Sequence, residues 1–82
     1  MITIDNEIIK GLSKDIKEQI EEYLRGDNLT HRSFVSNILN SSGTDTNIAK
    51  AFDISIDFLN DLREEVNEIF LNREAIDEIS IL

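Results

Sequence analysis

The chain has 82 residues, 40% of them hydrophobic, with 17 acidic residues against 8 lysines and arginines, for a formal net charge of −9. It has no cysteine, proline or tryptophan, which excludes a disulfide framework and thiolate chemistry. No apolar run approaches the roughly 18 residues of a membrane span, no basic stretch leads into an apolar leader, and the apolar share exceeds that of a disordered acidic tail. A single small cytoplasmic domain over residues 1–82, with no membrane partner, is therefore expected. A core of this size rarely supplies more than about 3–5 kcal/mol, so a homodimer is a natural way to add stability.

The first residues, Met1 to Ile4, alternate apolar and polar, and Ile8, Ile9 and Leu12 form an apolar lead-in broken by Gly11. Residues 1–12 thus read as an N-terminal arm. Ser13 is a plausible N-cap for a helix with Ile16, Ile20 and Leu24 at i, i+4, i+8, ending near Arg25 with Gly26 just beyond. Thr30 can cap a second helix, to Asn40, whose apolar face holds Phe34, Val35, Ile38 and Leu39. Thr44 or Asp45 caps a short third helix containing Ile48, Ala49, Ala51 and Phe52. Ser55 caps a long amphipathic fourth helix to about Asn72, in which Phe58, Leu59, Leu62, Val66, Ile69 and Phe70 share one arc. A tail over residues 73–82 places Ala75, Ile76 and Ile79 at helical spacing. The pattern predicts an all-α fold, a compact bundle of four to five short helices with a long amphipathic fourth.

The segment Ile48-Ala49-Lys50-Ala51-Phe52-Asp53-Ile54-Ser55-Ile56-Asp57-Phe58-Leu59 resembles phage-repressor (Cro-like) helix-turn-helix domains. There the fourth helix ends in a similar I-A-K-A-L-G-V-S and the fifth begins x-D-x-L. Asp53 stands where that family commonly has glycine, and Asp tolerates the left-handed conformation better than most residues. The resemblance implies that the helix from Thr30 to Asn40 occupies the DNA-reading position, offering His31, Arg32, Ser33, Ser36 and Asn37 to phosphates and base edges. In the other register the reading helix would begin at Ser55 and set Asp57, Asp61 and Glu64 against phosphates, which electrostatics forbids.

Charge is unevenly distributed. Residues 51–82 carry a net −7 and residues 1–50 a net −2. Asp57, Asp61, Glu64 and Glu68 line one face of the fourth helix, as either a solvated face or a docking surface for a basic protein. Ile69, Phe70, Ile76 and Ile79 form the candidate dimer seam. His31 is the one histidine, and no motif sets a base against a nucleophile. The three glycines are isolated, so no phosphate-cradling loop forms, and no metal-ligand spacing occurs. No enzyme activity, cofactor or metal is therefore expected. Fourteen isoleucines against two valines, with eight asparagines, match the AT-rich codons of a low-GC bacterium or its mobile elements. The expected role is a regulator or inhibitor acting on a basic, nucleic-acid-binding protein, as an anti-repressor or anti-CRISPR-like protein would. The alternative is a dimeric Cro-like DNA-binding regulator or antitoxin.

Overall fold

All five helices start at a short polar side chain that accepts a backbone N–H three residues ahead. Asp5 caps α1 (Asn6–Gly11), Ser13 caps α2 (Lys14–Tyr23), Thr30 caps α3 (His31–Leu39) and Thr44 caps α4 (Asp45–Phe52). Ser55 opens α5 (Ile56–Ile81) by accepting the Phe58 N–H at 3.0 Å. The computed structural model describes the backbone of residues 2–81 and the side chains of residues 2–73. Within them the protein is all-α.

Two elements differ from the sequence reading. Residues 1–12 are not wholly an arm, because α1 forms inside them. Asp5 supplies its cap and α1 buries Ile8 completely, while Leu12, just after it, is also buried. The tail is not separate either, since α5 continues through it. No glycine or proline follows Gly43, so nothing in the sequence interrupts helix propagation there.

The core is assembled around α5, which packs against α1, α2 and α4, while α3 packs on α1. From α5 it receives Phe58, Leu59, Leu62 and Val66. The N-terminal third contributes Ile4, Ile8, Leu12, Ile16, Ile20 and Leu24, one residue in every four across the α1–α2 junction. Phe34, Val35 and Ile38 come from α3, and Ile48 and Ala49 from α4. Tyr23 stacks obliquely on Phe58, with ring centroids 4.9 Å apart, and its hydroxyl accepts the Ser55 N–H at 3.2 Å. This joins the end of α2 to the start of α5. A Cβ on Gly11 would lie 3.1 Å from Ile69 Cδ1, so glycine there lets α1 come down on α5.

The α4–α5 turn is a Schellman motif. The Ile54 N–H donates to the Ala49 carbonyl and the Asp53 N–H to the Lys50 carbonyl. Asp53 sits in the left-handed region, at φ 55° and ψ 46°. Ile54 is buried beyond it, together with Ile48 and Ala49 from the last turns of α4.

Three charged side chains of α5 reach the starts of the shorter helices. The Glu65 carboxylate accepts both the Ser13 N–H (2.7 Å) and the Ser13 hydroxyl (2.8 Å) at the head of α2. Arg63 pairs with Asp45 in the first turn of α4. Arg73 donates through both guanidinium nitrogens to Asp5, the cap of α1, at 3.1 and 3.2 Å. Arg73, and then the Ile8 N–H, hold the Asp5 carboxyl below the usual aspartate value.

Two outcomes follow for stability. Asp53→Gly relieves the left-handed strain and raises the unfolding free energy by ~0.5 kcal/mol, whereas Asp53→Val lowers it by about 1–2 kcal/mol, both read by urea denaturation. The lowered Asp5 pKa makes the pair with Arg73 stabilising above the unfolded aspartate pKa of ~3.9, and this contribution is lost as pH falls through the folded value. Asp5→Asn keeps a capping side chain but no charge, so its melting temperature falls less steeply with acidification than that of the parent.

Candidate functional site

The outward face of α5 carries Asp57, Asp61, Glu64 and Glu68, spaced four, three and four residues apart. All four are exposed, and none has a hydrogen-bond or ion-pair partner among the described residues. At 1.5 Å per residue they span about 16 Å of one rigid helix. Asp57 lies in the first turn, where a carboxylate is favoured by the helix dipole. The later members repel one another at i,i+3 and i,i+4 spacing.

On α1 and α2 part of the acidic charge is paired locally, while Asp15 and Glu21 of α2 make no ion pair among the described residues. Glu7 pairs with Lys10, Glu18 with Lys14 and Glu22 with Arg25. On α5 the positions flanking the apolar arc, Arg63 and Glu65, are committed to α4 and α2. The stripe is thus the part of α5 whose charge the fold leaves uncompensated.

The second candidate surface is α3. Arg32 and Asn37 are exposed and His31 is half-buried. His31 and Arg32 line a shallow depression with Asn6, Ile9 and Thr30. Ser33 and Ser36 are engaged locally. The Ser33 hydroxyl accepts from Thr30 Oγ1 at 3.0 Å, and Ser36 Oγ accepts from the Asn40 amide at 3.3 Å. Asn40 also clasps the N-terminal segment: it accepts the Ile2 N–H at 2.6 Å and donates to the Ile2 carbonyl at 2.9 Å. This segment therefore lies over the C-terminal end of the α3 polar face. Arg32 is the one lysine or arginine on α3.

The candidate seam divides. Ile69 is half-buried beneath Gly11. Phe70 is half-buried and lines an open groove of about 250 Å³ with Ile2, Leu39, Arg63, Val66 and Asn67. Ile76 and Ile79 lie outside the described side chains. Among the described residues no cluster of three or more histidines, cysteines or acids is placed to hold a metal ion, and no helix is long and apolar enough to cross a membrane.

Arg63, Glu65, Arg73, Asp5 and Asp45 were not legible as a group in the sequence. The available signal for Glu65 and Arg63 is position: each borders the apolar arc of α5, where a charged side chain can reach a neighbouring helix.

No protein-family model matches the chain, and neither a curated protein nor a solved structure matches it. The likeness of Ile48–Leu59 to Cro-like domains stands on those residues alone.

Mutual repulsion along the stripe has a measurable cost. Asp61→Asn with Glu64→Gln removes the three like-charge contacts between successive members and raises stability by about 0.5–1.5 kcal/mol in low salt, a gain that shrinks in high salt. Thermal unfolding of the double variant at two ionic strengths measures it.

Proposed function

We propose that this chain is a non-enzymatic regulator or inhibitor that docks the acidic face of α5 onto a basic protein surface, including one built to hold nucleic acid. The observation that carries this reading is the stripe of exposed carboxylates at Asp57, Asp61, Glu64 and Glu68, which have no partner among the described residues. A rigid helix presents these charges with little backbone ordering left to occur on binding. An opposing arginine- and lysine-rich groove gains fast, salt-sensitive association from the complementary field. Action in the manner of an anti-repressor or anti-CRISPR protein, and an origin in a phage or mobile element, belong to this reading.

A second reading, a dimeric Cro-like DNA-binding regulator or antitoxin, is favoured by Arg32 and Lys50, which are exposed and unpaired among the described residues. Duplex DNA is bound largely by neutralising several phosphates, and α3 brings one permanent cation. The protein-binding reading is therefore the stronger.

Two measurements separate them. In a low-salt gel shift with genomic fragments from the source cells, no complex with DNA is expected. A specific shift abolished by Arg32→Ala would establish the second reading. In parallel, Asp57→Lys, Asp61→Lys, Glu64→Lys and Glu68→Lys together should abolish retention of a basic protein that the parent captures from the same cells. Undiminished capture of that protein by the quadruple variant overturns the proposal.

A further inference from the structure

The packing of α1 is non-local. It lies chiefly against α3 and α5, not against α2, its neighbour in the chain. Between α1 and α2 stand two residues in extended conformation, Leu12 (φ −68°, ψ 151°) and Ser13 (φ −64°, ψ 157°). Ile4, Ile8 and Leu12 are buried, and Gly11 sits over Ile69. The polar ties of this segment also end on distant elements, Ile2 on Asn40 and Asp5 on Arg73.

We propose that the segment Ile2–Leu12 is exchangeable between two copies of this chain, each copy inserting it into the α3–α5 groove of the other. The occupant that fits the groove is already visible, because the chain's own segment fills it. The ties to Asn40, Ile69 and Arg73 lie between the segment and α3 or α5, so they re-form unchanged when the two belong to different chains. What must change is the hinge. If Leu12 and Ser13 turn helical, α1 and α2 run on as one helix, and the segment is carried away from its own groove. No proline opposes this. Three features hold the hinge in its bent form: the Ser13 cap on the Ile16 N–H, the Glu65 clasp on Ser13, and the Lys17 ammonium donating to the Lys10 carbonyl at 2.9 Å. Two chains of net charge −9 repel, so salt favours the exchanged dimer. The acidic stripe of α5 takes no part in these contacts, and this inference does not depend on the function proposed above.

Light scattering across chain concentration tests the hinge. Ser13→Ala removes the cap and favours a continuous helix, so its dimer dissociation constant falls at least about tenfold below that of the parent. Lys14→Pro suits the first position of α2 in the bent form but breaks a fused helix, and it stays monomeric. Trans pairing is read by mixing two folded full-length variants. One carries Asp5→Arg, so that its Arg73 faces a like charge. The other carries Arg73→Asp, so that its Asp5 does. Each is mispaired alone, and exchange satisfies both, giving a 1:1 heterodimer. A Ser13→Ala chain that remains folded and monomeric at ~1 mM, or a mixture that yields no heterodimer, overturns the proposal.

Discussion

Helices of six to ten residues do not survive alone in water, because nucleation costs more than so few hydrogen bonds return. In this protein the four short helices are held by one long one, and the hold is partly polar. Three of the four have their first turn or N-cap bound to a side chain of α5. The Ser13–Glu65 contact shows the logic most clearly. In a capping box the N-cap N–H is satisfied by a glutamate three residues further along the same helix. Here that position is Ile16, which is buried in the core, and the glutamate arrives from α5. A local motif has become a tertiary one, and the start of α2 is fixed by the same helix that its apolar face covers.

This arrangement sorts the described charges of α5 into two populations. Arg63, Glu65 and Arg73 are engaged within the fold, and Asp57, Asp61, Glu64 and Glu68 have no ion-pair partner among the described residues. The exposed pairs are individually weak, since a surface ion pair contributes about 0–1 kcal/mol. The rotation of α5 relative to the other helices is set by the burial of Phe58, Leu59, Leu62 and Val66, and the pairs agree with it. That rotation determines which carboxylates face outward, so fold and candidate surface have a common origin.

Much of the architecture was legible in local signals. Ser13, Thr30, Thr44 and Ser55 announce their helices through their own chemistry, and Asp53 adopts the left-handed geometry that aspartate tolerates better than most residues. The stripe on α5 was legible too, because its side chains need only a helix to line up. What escaped was anything that depends on two distant segments meeting. The segment from Asn6 to Gly11 read as part of an arm, an apolar lead-in broken by Gly11, whereas it is a helix whose cap, Asp5, pairs with Arg73, 68 residues away, and whose Gly11 lies over Ile69. Likewise, Ser33 and Ser36 looked available for base contacts, yet Thr30 and Asn40 engage them.

The aromatic junction at the head of α5 has an optical consequence. Tyr23 is the one tyrosine, and the chain has no tryptophan. Its ring rests on Phe58 and its hydroxyl receives the Ser55 amide. Near-ultraviolet dichroism and intrinsic emission therefore come almost wholly from a single chromophore seated between the second and fifth helices. Without any label, the molecule signals whether that seam is closed, and loosening elsewhere remains spectroscopically silent until it reaches this ring.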